Sequence, residues 1–320
     1  MGNNKRITWL DTAKGLGILL VVFFHLDNLN SLAYFEKWGG WIVSFYMVFF
    51  FSLSGLFFKN NKLGQRCKRL LKPYIIFYVF TYVFYLGKSI IRGGDVDLVN
   101  FFNPFLGRPD VVANPPMWFL LALVEMNVIG SLLMKYMRPF IALGTSFALS
   151  YIAYLLGIYK IPNLYYLESV LLCLPLFLGA SLFREYLLRS YSWRLGVICI
   201  IASYFLFQIS SCHYNNVSLN HIGSGYTLFI IIALLASVGF LVVSQTIDKL
   251  PKISSILNFY GKNSLVVLCT HMPLMVFQPI LINVTGNPIL GISLTFITVI
   301  TLEIPIIWFI NKYVPFVLGK

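Results

Sequence analysis

Apolar residues run along this chain in blocks of about twenty, separated by short stretches where Lys, Arg, Asn, Pro and Gly gather. Ten blocks are predicted as helices: 7–26, 38–57, 73–91, 117–134, 139–157, 165–183, 193–209, 226–244, 263–282 and 290–311. Each is near the ~20 residues that carry a helix across a ~30 Å hydrocarbon core. The pattern predicts an all-α, polytopic membrane bundle of about ten transmembrane helices. It forms a single domain over 1–320 with no separate soluble domain.

Composition supports the same class. Hydrophobic residues are 58% of the 320, aromatic residues 17% and charged residues 11%, with a mean hydropathy of +0.80. Soluble domains carry roughly a quarter charged residues, so this chain lacks the polar surface to cover itself in water. Its net charge of +13 raises the question of nucleic acid, and its distribution answers it. With the N-terminus in the cytoplasm, eighteen Lys and Arg fall on the inside, five on the outside, and Lys14 within a span. That asymmetry is the positive-inside rule. It places both termini in the cytoplasm and makes nucleic acid unnecessary as a partner.

Five cysteines without CxxC or paired spacing imply no disulfide framework. The N-terminal apolar block is interrupted by Asp11 and Lys14 and lacks a small-residue cleavage site, so it reads as a retained helix. There is no internal repeat, nucleotide-binding or metalloprotease motif, and no metal site is expected. Two outside segments are long. Residues 92–116 are rich in turn formers, and 210–225 carry His213 and His221. Either is a lid or acceptor-binding loop, or an ordinary solvated connection; the length of the first favours function.

Ionisable residues inside spans are costly and mark function by default. In "LDTAKGLGILLVVFFHL", residues 10–26, Lys14 and His25 are 11 positions apart. At ~100° per residue they share one helix face, about 16 Å apart along the axis. Asp11, three before Lys14, lies on that face within ion-pair reach. Gly15 and Gly17 let another backbone or a ligand come close. Taken singly, Lys14 can snorkel, Asp11 can neutralise it, and His25 can sit inert at the headgroups; three on one stripe favour function.

In "KLGQRCKRLLKPY", residues 62–74, Arg66, Arg69 and Lys72 recur every third position. Planar guanidinium forks suit phosphate, although a short inside loop is basic anyway. In "NPPMWFLLALVE", residues 114–125, Pro115 and Pro116 start a helix, Trp118 sits at the outer interface, and Glu125 lies about 12 Å deeper than Met117. A buried carboxylate needs a partner, for which Lys14 and His25 are candidates. In "YGKNSLVVLCTHMPL", residues 260–274, His271 is placed at mid-membrane, as a functional group or a structurally bonded histidine.

These stretches, in this order, resemble the membrane-bound acyltransferase family 3, in its fucose 4-O-acetylase-like and polysaccharide O-acetyltransferase branch. The resemblance covers essentially the whole chain. It rests on "RITWLDTAKGLGILLVVFFHL", "FYMVFFFSLSGLFF" with Ser54–Gly55, Arg66-x-x-Arg69 leading to Pro73–Tyr74, "PMWFLLAL", and "YGKNSLVVLCTHMPL". It implies a multi-pass enzyme of the cell membrane that moves an acetyl group from cytoplasmic acetyl-CoA to a hydroxyl of a cell-surface or lipid-linked glycan at the outer face. Lys14 and His25 fill the family's Arg/Lys-x10-His motif, with His25 as the catalytic group, and Arg66 and Arg69 fill its acyl-donor RxxR motif.

On that resemblance Lys68 and Lys72 aid donor binding. Lys14, Asp11 and Glu125 support the catalytic end, and Asn114, Trp118 and His271 are expected on the acceptor side. Some relatives carry an extracytoplasmic domain that completes transfer, so a glycan-synthesis or transfer partner is an open expectation. A transporter or flippase for a glycan or lipid intermediate is the rival reading from the intramembrane charges. A different membrane O-acyltransferase fold is the second rival.

Overall fold

The computed structural model describes residues 6–26, 33–59, 61–91, 99–102, 114–161, 165–210, 212 and 214–319. Fifteen α-helices run in chain order. They are α1 (Thr8–Phe24), α2 (Ala33–Val43), α3 (Tyr46–Leu56), α4 (Leu63–Ile91), α5 (Val99–Phe102), α6 (Trp118–Tyr136), α7 (Pro139–Ile158) and α8 (Leu167–Leu182), followed by α9 (Arg184–Leu187), α10 (Trp193–Ile209), α11 (Tyr226–Ile247), α12 (Pro251–Lys262), α13 (Ser264–Leu274), α14 (Phe277–Thr285) and α15 (Pro288–Tyr313). Between α10 and α11, Asn215–Asn216 pairs antiparallel with His221–Ile222 as β1 and β2.

Every predicted block is helical in the structure, but blocks and spans do not correspond one to one. Among the described residues, six helical stretches are long and apolar enough to cross a membrane: Trp38–Leu56, Leu63–Ile91, Pro115–Tyr136, Pro139–Ile158, Tyr226–Ile247 and Pro288–Tyr313. A seventh is available if α13 and α14, bent by 58°, form one broken span. The helices α1, α8 and α10 are 17, 16 and 17 residues long. In the predicted block 263–282, Pro273 removes a backbone donor near the end of α13, and the helix stops at Leu274.

The basic stretch before residue 73 is not a loop. It is the first half of α4, which runs straight through Pro73, so Arg66 and Arg69 stand on the same rigid rod as the apolar span. The amphipathic α12, absent from the sequence-based prediction, packs along α1.

Two glycines set that packing. A Cβ on Gly15 would collide with the Leu257 backbone, and one on Gly261 would collide with the backbone of Asp11. The two helices therefore touch backbone to backbone, the kind of approach that small residues permit in membranes. Gly55 of α3 meets the Phe177 backbone of α8 in the same way. At the cytoplasmic edge expected from the charge pattern, Thr8 and Thr12 of α1 donate to Asp248 at 2.6 and 2.7 Å, and Asn258 donates at 3.3 Å. Burial pushes the Asp248 carboxyl up, but these three hydrogen bonds together outweigh it and hold it below its ordinary value. Its contribution to stability is thus present above the ordinary carboxylate pKa and lost as pH falls through the lowered one.

Around this centre, α3, α6, α8 and α13 supply much of the buried core, with Phe45, Phe49, Phe51, Met117 and Phe177 essentially inaccessible. The outward faces of α4, α7, α10 and α15 expose Phe80, Phe140, Ile198 and Trp308, as a lipid-facing perimeter does.

Gly261→Ala is expected to lower the melting temperature in detergent sharply, since forced overpacking costs ~1–3 kcal/mol or more. Gly64→Ala, where a Cβ meets nothing within 4 Å, should leave it unchanged or raise it, by at most ~1 kcal/mol of helix propensity.

Candidate active site

The stripe predicted on α1 exists and faces inward. Lys14, Ile18 and Val21 line a cavity of about 350 Å³, within the size range of small-molecule sites. His25 continues the stripe one turn further, as the C-cap of α1. Three other stripes complete the wall: Met47, Phe50, Leu53, Ser54 and Phe57 around α3; Phe119, Leu120, Leu123 and Asn127 on α6; Ser264, Leu265 and Leu268 on α13. Apart from its ends, the cavity is apolar.

Cations stand at one end. Lys14, Arg66 and Arg69 all line the cavity. Arg66 lies over the Phe58 ring at 4.9 Å. Its Nη1 donates to Asn127 Oδ1 at 3.1 Å and its Nη2 to the Asn61 carbonyl at 3.3 Å, while its buried Nε has no partner. Asn127 is itself fixed by donating to the Leu123 carbonyl at 2.7 Å. Lys14 sits 5.0 Å from the Phe57 ring centre and 4.0 Å from Asp11. Asp11 is held chiefly by Arg6, at 2.6 and 3.1 Å, so its expected pairing with Lys14 is the weaker of the two. Lys68 and Lys72 lie outside the cavity wall, Lys72 against Phe316 at 5.5 Å.

Two histidines stand beyond the other end. Val21 and Leu268 are the last cavity residues on their helices, and one turn past them lie His25 and His271. Their ring centres are 5.2 Å apart, edge to face. Each Nδ1 lies 2.6 Å from the carbonyl four residues before it, Val21 and Val267. A carbonyl only accepts, so both histidines carry a hydrogen on Nδ1; on the fully buried His271 a second hydrogen would bury a charge, so its Nε2 keeps a lone pair. His271 has no exposed surface, and its Nε2 has no partner.

Asn114 anchors the same end. Pro273 has no N–H, so the Cys269 carbonyl loses its helical donor; Asn114 Nδ2 supplies one at 2.8 Å. Asn114 is fully buried. Trp118 is 8% exposed, packed within an aromatic cluster with Phe51 and Tyr166 at 6.2 and 5.2 Å. Glu125 is not in the cavity. Two residues from Leu123 and from Asn127, it points to another face of α6, ~200° round, where it meets the Tyr166 backbone amide. The expected pairing with Lys14 or His25 does not form. His221 is exposed against Tyr214 at 5.4 Å, and His213 lies outside the described residues.

Sequence reasoning missed Asn127 and Glu303. Asn127 shows only as a polar residue inside an apolar helix. Glu303, in the middle of α15, has no exposed surface and both its oxygens contact Thr270 Oγ1, at 2.8 and 2.9 Å. The same hydroxyl lies 2.8 Å from the Val266 carbonyl. One hydroxyl hydrogen cannot serve both acceptors. A hydrogen on Glu303 completes the set and spares the bundle a buried charge.

A helical membrane bundle thus encloses an apolar cavity with guanidinium and ammonium groups at one end and paired histidine rings beyond the other. The chain belongs to the acyltransferase family 3, whose acyltransferase domain matches residues 7–308, and it is a membrane acyltransferase. No curated protein and no solved structure matches it.

Glu303→Gln should keep the melting temperature near that of the wild type, because an amide still donates to the Thr270 oxygen. Glu303→Ala should lower it, the lost partner costing about 1–3 kcal/mol of stability.

Proposed function

We propose that the protein is an O-acetyltransferase of the cell membrane, taking acetyl groups from cytoplasmic acetyl-CoA to a hydroxyl of a cell-surface or lipid-linked glycan at the outer face. The observation that carries this reading is the polarity of the cavity: Lys14, Arg66 and Arg69 at one end, the His25–His271 pair beyond the other. About ten crossings, with both termini in the cytoplasm, follow from the Lys and Arg distribution and put the cationic end inside.

The residues suit the donor. The unpartnered Arg66 Nε is a buried donor in want of an anion, and a guanidinium fork fits phosphate oxygens. Arg69 and Lys14 add charge at the same mouth, with Lys68 and Lys72 nearby on α4 drawing the anion in from solvent. The apolar wall suits a pantetheine arm, which presents the thioester when bound. At the far end His25 Nε2 takes the proton of the acceptor hydroxyl as general base. Asp11 fixes Arg6 beneath Lys14, and Asn114 and Trp118 hold the acceptor side. Glu125 shapes the wall of α6 indirectly, from behind.

A flippase would want a path wide enough for its cargo, whereas this cavity is about 350 Å³ and its lining stops at Val21 and Leu268, one turn short of the two histidines. Binding of coenzyme A separates the two readings.

With the purified protein, labelled acetyl-CoA and a glycan acceptor, His25→Ala should reduce transfer by ~10²-fold or more. Arg66→Ala should raise KM for acetyl-CoA about tenfold, equivalent to ~1.4 kcal/mol. Arg66→Lys should not restore it, because the fork is lost. Wild-type transfer by His25→Ala would remove His25 from the chemistry.

A further inference from the structure

The lone pair on His271 has no role in the resting protein. Its Nε2 is fully buried and accepts nothing, a standing cost that a structural histidine would avoid by bonding at both nitrogens. The tautomer is not free to change, because Nδ1 is committed to Val267 at 2.6 Å. Beside it, at 5.2 Å between ring centres, is His25, committed in the same way to Val21. The unfilled His271 Nε2 thus belongs to a buried ring that stands edge to face against the ring of His25.

We infer that His271 is a positioning residue for His25, and that its unfilled lone pair stabilises the charge that His25 carries as the imidazolium. This rests on the base role given to His25 above. In the transfer step the acceptor O–H bond breaks and its proton goes to His25 Nε2. The oxygen forms its bond to the acyl carbon, the carbon–sulfur bond breaks, and the proton passes to the leaving sulfur to give the thiol. His271 neither gains nor loses a proton over the cycle. It orients the His25 ring and lends its lone pair to the cation while the proton resides there.

An interaction absent in the ground state and present in the transition state raises kcat rather than lowering KM. The register of the fold supports the pairing. His25 lies ten residues past Gly15 and His271 ten past Gly261, and these glycines are the ones at which α1 and α12 touch.

The test compares His271→Leu, which removes the acceptor, with His271→Gln, whose carbonyl replaces it. Both are measured for coenzyme A binding, melting temperature and acetyl transfer. His271→Leu is expected to bind coenzyme A as the wild type does, with KM for acetyl-CoA unchanged and kcat at least about tenfold lower; His271→Gln should recover much of that loss. Wild-type kcat in His271→Leu overturns the inference, and so do equally slow Leu and Gln variants, which mark a packing role. If His271→Leu melts early, His271→Asn replaces it, being polar but one methylene short. A slow Asn variant beside a faster Gln variant supports the inference, and equal rates overturn it. A wild type that transfers no acetyl overturns this and the proposed function together, whereas a normal wild type with an unaffected variant overturns this alone.

Discussion

The backbone contact between α1 and α12 fixes the rest of the site. Gly15 and Gly261 remove the side chains that would hold these helices apart, and α12 hands directly to α13 through Asn263. Once the crossing is set, the inward stripe of α1 and that of α13 have no remaining freedom to slide. Lys14 is carried to the mouth beside Arg66, and His25 to the ring of His271. The His25–His271 end is thus positioned by residues that have no chemistry.

Several polar groups inside the bundle that a proline or a buried charge leaves unsatisfied are met by a specific partner. Asn114 meets the Cys269 carbonyl that Pro273 abandons, Thr270 meets Glu303, and Asn127 meets Arg66. Against that background the groups left unmet stand out. Of the eight buried side-chain atoms without a partner among the described residues, which include Asn114 Oδ1 and Glu125 Oε2, Arg66 Nε lies at one end of the cavity and His271 Nε2 beyond the other. One is a donor and the other an acceptor, matching an anion on one side and a proton-bearing group on the other.

Much of this was legible in the chain. The spacing of Lys14 and His25 is close to a whole number of turns, so their common face needed only helical geometry. The apolar blocks located the helices for a similar reason, since nothing but helix or closed barrel satisfies a backbone in lipid. What stayed hidden is tertiary. Arg66 meets Asn127 from 61 residues away and Thr270 meets Glu303 from 33, and no local pattern announces such pairs. Pro73 reads as a helix boundary, yet α4 continues through it. Its N–H is lost either way, and only packing decides whether the chain turns. Glu125 was misjudged because depth along a helix was known and azimuth was not: one or two residues send a side chain to the opposite face.

The buried layer formed by His271, Asn114 and Met117 has a consequence for water beside the site. None of the three has exposed surface, and the Asn114 side chain ties the turn before α6 to the Cys269 carbonyl of α13. On that side the His25 ring is backed by protein rather than solvent. A reactive group set against such a wall loses less to hydrolysis, because water has little room there to compete with another hydroxyl.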